Sequence, residues 1–261
     1  MSIRTAVDDL SSGLKIYHIW IMLAWSEIKQ RYRRSVIGPF WLTLSTAIMI
    51  LAMGPLYGGL FGQSLNKYFL YLATSIIVWG LISSSINDAC QVFIGSEGFI
   101  KQSSLPLSVY VLRLVWRNLI IFLHNVVVII GVAIFYPPDI NLSTLLVVPG
   151  LMILALNALW IGIVIGLVCA RYRDVTQIVS SLVGIAFFIT PVMWYPRMLG
   201  AKEWMVNLNP LYHFMQILRA PILGEPVALI NWITAVAVTL LGFMLMIVLF
   251  GRYRSRIAYW V

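Results

Sequence analysis

Residues 140–170 read INLSTLLVVPGLMILALNALWIGIVIGLVCA, a run without a single charged side chain. A helix crossing a bilayer needs about 20 apolar residues, so this run is long enough to span with some tilt. Five further charge-free stretches repeat it, at 35–66, 68–87, 118–138, 175–196 and 226–251. Hydrocarbon offers no water to a bare backbone, and a chain of such runs meets that constraint as helices that satisfy their own N–H and C=O groups. The reading is an all-α polytopic membrane protein with six transmembrane helices, forming a single transmembrane domain over 1–261.

Composition agrees. Of 261 residues, 61% are hydrophobic and 10% charged, and the mean hydropathy is +0.93, more than one soluble core could bury. That excludes a soluble enzyme, a nucleic-acid reader or a disordered chain. A net charge of +9 would suggest nucleic acid on a soluble chain; here it sets orientation, and no nucleic-acid partner is expected. Six spans place both termini on one side. The segments before residue 36, at 94–117, at 170–174 and after 251 hold 14 of the 18 Lys and Arg, so both termini are expected in the cytoplasm. Cys90 and Cys169 have neither CxxC nor metal spacing and read as small packing residues. The first 35 residues are polar and amphipathic, without the pattern of a cleaved signal peptide, and are expected to stay in the mature protein.

Outside the spans lie an N-terminal segment, two patterned connections and a tail. Over 1–34, Ile16, Ile19, Trp20, Leu23 and Ile28 recur at helical spacing and predict an amphipathic helix lying in the cytoplasmic interface. It ends in Arg31-Tyr32-Arg33-Arg34, a cluster suited to anionic headgroups at about 1 kcal/mol per charge. Residues 95–105, GSEGFIKQSSL, predict a short helix outside the membrane, after which Pro106 opens the third span. The external segment 197–225 mixes apolar residues with Trp204, Tyr212, Arg219 and an Asn209-Pro210 break. It reads either as two short helices dipping into the outer leaflet or as an amphipathic surface loop. Residues 252–261 form a cytoplasmic tail.

No G-x-x-x-x-G-K-[ST] string occurs, so if ATP drives this protein, another chain binds it. Neither G-x-S-x-G, H-E-x-x-H nor clustered acids appear, and His18, His124 and His213 are too scattered to suggest a shared metal site. Asp88, Arg113 and Arg117 are charges near the bilayer interior, where they are costly unless paired or functional. The two arginines share a helical face, and an ion pair with Asp88 is preferred to a proton relay. Trp79 and Trp160 sit near the middles of spans, away from the interfacial belts of the other tryptophans; they pack, or they line a conduit for sugars. Gly162 and Gly166 have the small-xxx-small spacing of close helix packing.

Four stretches together resemble the membrane-spanning permease subunit of bacterial ABC exporters for O-antigen, capsule or teichoic-acid polysaccharide, with the O-antigen branch nearest. Arg31-Tyr32-Arg33-Arg34-Ser35 with Gly38-Pro39-Phe40-Trp41 resembles that family's approach to its first span. Glu97-Gly98-Phe99-Ile100-Lys101 with Leu105-Pro106 is similar to its coupling helix, and Arg171-Tyr172-Arg173-Asp174-Val175 to its loop between spans four and five. Thr190-Pro191-Val192 with Trp194, Asn209-Pro210-Leu211 and Arg219-Ala220-Pro221 resemble its external re-entrant region. The resemblance implies a homodimer in the bacterial inner membrane, joined by two copies of an ATPase subunit that binds the ATP and Mg, so that this chain binds no cofactor. It implies export of undecaprenyl-diphosphate-linked polysaccharide. By the same analogy Glu97, Gly98, Phe99, Ile100 and Lys101 dock on the ATPase. Arg31, Arg33 and Arg34, whose forks match phosphate oxygens, would guide the diphosphate or serve positive-inside topology alone, and Trp79 and Trp160 would line the channel if they do not simply pack. Rival readings are an exporter of drugs or small lipids and, from a different class, a glycosyltransferase or acyltransferase acting on a lipid carrier.

Overall fold

The computed structural model describes residues 3–33 and 40–261. Helices account for the described secondary structure: α1 (Ile3–Lys15), α2 (Tyr17–Tyr32), α3 (Phe40–Leu60), α4 (Leu65–Ala89), α5 (Glu97–Gln102), α6 (Ser108–Phe135), α7 (Val147–Arg171), α8 (Val175–Ile189), α9 (Pro210–Ile222), α10 (Leu229–Tyr253) and α11 (Ile257–Trp260). Short 3-10 stretches cover Ile94–Ser96, Leu142–Leu146, Pro196–Leu208 and Arg254–Arg256.

Among the described residues five helical segments are long and apolar enough to cross a membrane: Thr43–Leu60, Lys67–Ala89, Ser108–Phe135, Leu142–Arg171 and Leu229–Trp260. The expected span at 175–196 is shorter than its charge-free run. α8 has 15 residues, about 22 Å at 1.5 Å per residue, against the roughly 30 Å of hydrocarbon. Pro191 is the reason: it forces Thr190 out of helical geometry, to φ −81° and ψ 135°. A count of missing charges does not register that stop. Two other boundaries shift for local reasons. α3 ends at Leu60 because Gly62, at φ +61°, takes the left-handed turn that leads into α4. α6 begins at Ser108, two residues after the Pro106 expected to open the third span and ten before the charge-free run at 118, and so includes Arg113 and Arg117.

α4 is the axle of the bundle. Residues 68–79 are buried without a break, and α3, α6, α7, α8 and α9 all pack on it. Its window of a membrane span is 78% buried, against 44% or less for the others, which leave broad apolar faces outward. Such faces are at home in lipid, where exposed leucine and isoleucine cost nothing. Glycines set the closest approaches. A Cβ at Gly162 would lie 2.5 Å from Val111 of α6, and one at Gly166 2.5 Å from Val92, just past α4. The small-xxx-small pair is therefore used within the chain.

The helices sort their ends. α1, α5, the start of α6 and the tail after α10 share one end with most of the arginines. The turn at Gly62, the loop at 136–141, the stretch Pro196–Leu208 and α9 share the other. The N-terminal segment is two helices broken at Ile16 rather than one. The segment at 197–225, expected as two short helices or a surface loop, is a 3-10 stretch, kinked at Gly200, followed by α9. α9 is enclosed by protein from Tyr212 to Leu218 on most of its faces, and Asn209 caps it by accepting from Leu211 N.

Candidate functional site

At the basic end, α5 is a one-and-a-half-turn projection. None of its residues is buried, and Phe99 is 56% exposed. Lys101 Nζ donates to Glu97 Oε1 at 2.6 Å, an i,i+4 pair ordered acid-first as helices favour. This hydrogen bond and the charge of Lys101, with Arg173 further off, hold the Glu97 carboxyl below its ordinary pKa. Gly98, Ile100 and Lys101 complete the projection, with Ile100 alone turned back onto the core.

Behind α5 stands an ion-pair node. Arg117 Nη2 donates to Asp88 Oδ2 at 2.7 Å and its Nη1 to Glu27 Oε2 at 2.8 Å. Arg113 Nη1 lies 3.1 Å from Glu27 Oε1, and its Nη2 donates to Ser96 Oγ at 2.9 Å. Ser96 immediately precedes α5. Two acids and two arginines thus tie α2, α4 and α6 to the base of the projecting helix, with charges balanced. The sequence suggests Asp88 as the partner of one arginine; Glu27, which accepts from both, is not among its candidates.

α1 is pinned by a second polar contact. Asp9, 4% exposed, accepts from Leu107 N at 3.1 Å and Ser108 N at 2.9 Å, capping α6 from 98 residues away, and its Oδ2 also accepts from Arg254 Nε. Ser108 Oγ donates back to Asp9 O at 2.9 Å. Near Leu107 and Ser108, chain start and tail meet.

At the opposite end Arg219 is 1% exposed and, among the described residues, has no carboxylate in contact. Its donors are nevertheless occupied. Nη1 reaches Tyr71 Oη at 2.8 Å, Ser75 Oγ at 3.0 Å and Pro191 O at 2.6 Å, while Nε and Nη2 donate to Gln216 Oε1. The guanidinium also lies 4.4 Å from the Tyr71 ring centroid. Tyr71 Oη donates to Trp194 O at 2.7 Å. This one side chain joins α9, α4 and the turn after α8. Its signal in the sequence was a lone arginine in the apolar run Phe214–Ile222, noted in a motif but not singled out as a site.

The two central tryptophans part company. Trp79 lines a cavity of about 390 Å³ between α3, α4, α6 and α8, with Thr46 and Asn125 among the polar groups there. Asn125 Oδ1 is buried and, among the described residues, has no hydrogen-bond partner. Trp160 instead fills the notch at Gly242 of α10, where a Cβ would come within 2.2 Å of its ring, and its Nε1 donates to Asn157 Oδ1 at 2.7 Å. Asn157 Nδ2 donates to Thr239 Oγ1 at 2.7 Å, so Trp160 belongs to a polar seam between α7 and α10. Of the basic cluster, Arg33 is exposed at the end of α2, Arg31 lies in α2 with its side chain undescribed, and Arg34 falls outside the described residues. Among the described residues no three His, Cys, Asp or Glu are grouped to hold a metal.

Three similar proteins span most of this chain. An O-antigen export system permease protein RfbA of Klebsiella pneumoniae is 23% identical over 249 residues, covering 93% of this chain and 95% of its own. A second protein of that name from the same organism is 22% identical over 75% of this chain and 76% of its own. One from Myxococcus xanthus is 24% identical over 77% and 78%. Residues 18–223, which run from α2 through α9 and take in α5, the ion-pair node and Arg219, match the ABC-2 type transporter family. A bundle of long apolar helices with a projecting polar helix at its basic end, matched over that whole range, belongs to the ABC-2 type transporter family as one of its membrane-spanning transport subunits.

Proposed function

We propose that the chain is the permease of an ATP-driven exporter of O-antigen polysaccharide, carried on undecaprenyl diphosphate. The observation that carries this is near end-to-end similarity to a protein named as an O-antigen export permease, over 93% of this chain and 95% of that one. Two copies of this chain would form the conduit in the inner membrane, and two copies of a separate ATPase would bind ATP and Mg. The basic end faces the cytoplasm by the positive-inside rule, and α8 with residues 190–196 completes a sixth crossing. α9 and the stretch before it form the re-entrant segment of the outer leaflet, a placement suited to a helix whose surroundings are protein.

α5 docks in the ATPase, with Phe99 as the apolar contact and the Glu97–Lys101 pair as the polar one. Movement of α5 passes through Ser96 to the node of Arg113, Glu27, Arg117 and Asp88, and so to three helices at once. Arg31, Arg33 and Arg34 attract the diphosphate of the cargo, and Trp79 with Asn125 meets the sugars in the cavity, where a flat ring and an unpartnered carbonyl suit a hydroxylated chain.

The test is depletion of the protein in its own cell, with lipid-linked glycans measured on each face of the inner membrane. Polymer accumulating on the cytoplasmic face is the expected result, and it identifies cargo and carrier. Loss of the polymer with short precursors left behind points instead to a biosynthetic enzyme, and unchanged glycans to an exporter of drugs or small lipids.

A further inference from the structure

The ends of α7 and α10 and the short α11 enclose a half-open cavity of about 190 Å³ at the basic end. Its floor is apolar, from Leu167 and Leu249, and its rim is Arg171, Tyr172, Tyr253 and Trp260. The Arg171 guanidinium lies 5.1 Å from the Tyr172 ring centroid and 5.3 Å from that of Trp260. Arg252 and Arg256 lie 5.6 and 5.7 Å from the Tyr253 ring. Among the described residues none of these three arginines is paired with a carboxylate; the one ion pair of the region belongs to Arg254 and Asp9.

We propose that this cavity is a binding site for an anionic phospholipid of the bilayer, with its phosphate on Arg171 and an acyl chain on the apolar floor. The site is separate from the cargo route described above and does not depend on what is exported. Rings against its face hold a guanidinium in one orientation and leave its N–H edge free, the edge that matches two phosphate oxygens. Arg197 offers the contrast. It too lies against a tyrosine, 4.5 Å from the Tyr195 ring, but its Nη2 already donates to Gln63 Oε1. Arg171 makes no such hydrogen bond among the described residues. A favourable position at the last turn of α7 explains a cation there. It does not explain two aromatic rings around that cation, two more arginines around Tyr253 of the same rim and the apolar lining. Basic pockets between membrane helices, with headgroup charge above and hydrocarbon below, take anionic lipid on these terms.

The experiment is native mass spectrometry of the full chain in detergent, titrated with palmitoyl-oleoyl phosphatidylglycerol or the matching phosphatidylcholine. One phosphatidylglycerol per chain should be retained at concentrations where phosphatidylcholine is not. Arg171→Gln should lower that occupancy about fivefold, the effect of one basic residue at a lipid surface, while Arg197→Gln leaves it unchanged. Should Arg171→Gln fail to accumulate, Trp260→Leu reads the same site from its rim and the Arg252→Gln/Arg256→Gln pair from the arginines around Tyr253. Equal retention of the two lipids, or occupancy indifferent to every one of these variants, overturns the proposal. Displacement of the lipid by millimolar inorganic phosphate also overturns it, because the ligand would then be a free anion; failure of phosphate to compete supports it.

Discussion

Single side chains carry unusual weight in this bundle because a polar group at membrane depth has few substitutes for its partner. Asp9 holds two backbone N–H groups at the start of α6 and the guanidinium of Arg254. Asp9→Ala leaves all three without their acceptor, and a loss of about 3 kcal/mol is expected, read as a lower melting temperature in detergent. Gly242 is a matter of space. Gly242→Ala drives a methyl group into the Trp160 ring, so α7 and α10 must separate; adding Trp160→Leu should restore most of the lost stability, and the double-mutant cycle measures that coupling. Arg219 is the strictest case. Arg219→Lys keeps the charge but cannot reach Tyr71, Ser75, Pro191 and Gln216 together, so the turn after α8 should loosen. The check is faster proteolysis between 190 and 210, with helix content unchanged.

At the level of elements, the proposed coupling asks a six-residue projection to act on helices of 16, 25 and 28 residues. α5 is linked to them through Ser96 and the node behind it, and the node is neutral only with all four charges present. Removing Glu27 alone leaves two arginines facing a single acid. Glu27→Gln should therefore reduce export strongly, and Glu27→Asp should recover part of it; equal export by wild type and Glu27→Gln would remove the node from the coupling path. Reversal of charge at Glu97 with Phe99→Ala acts one step earlier. Under the proposed function it should leave insertion and ATP hydrolysis by a partner ATPase intact while export falls, measured as transported glycan per ATP. The acid dependence of this element follows from its pair. With the Glu97 carboxyl held below its ordinary pKa, the bond to Lys101 is present above the usual carboxylate range and is lost only as pH falls through the lowered value. Coupling that relies on it should be flat across neutral pH.

For the molecule as a whole, the distribution of apolar surface is the informative feature. α8 has no buried residue at all, and Ile178, Leu182, Ile185 and Phe188 all point outward. Lipid alone can cover that face, but a helix too short to cross with ease gains from a neighbour that shields its ends. If two copies pair as proposed and α8 lines their seam, then in a variant with Cys90→Ala and Cys169→Ala a single cysteine at Leu182 should crosslink them. Crosslinking at the outward Leu240 of α10 and not at Leu182 would move the seam to α10.

Much of this architecture could be read before any coordinates. The apolar runs, their approximate limits, the projecting helix near 97–102 and the sidedness of charge all follow from one-dimensional rules, because a bilayer tests each segment separately for length and polarity. Those rules failed where a local stop carried no charge, as at Pro191, which shortened the fifth run, and at Gly62, which ended the first. What only the packed chain decided is who meets whom. Glu27 with Arg113 and Arg117, Asp9 with the start of α6, Arg219 with Tyr71 and Pro191, and Trp160 with Gly242 are pairs separated by dozens of residues, and no periodicity connects them. Hydrophobicity places a helix in the membrane, but it is the same for every rotation of that helix about its own axis. The choice among rotations is made by close contacts and polar partners, which exist only once neighbouring helices are in place.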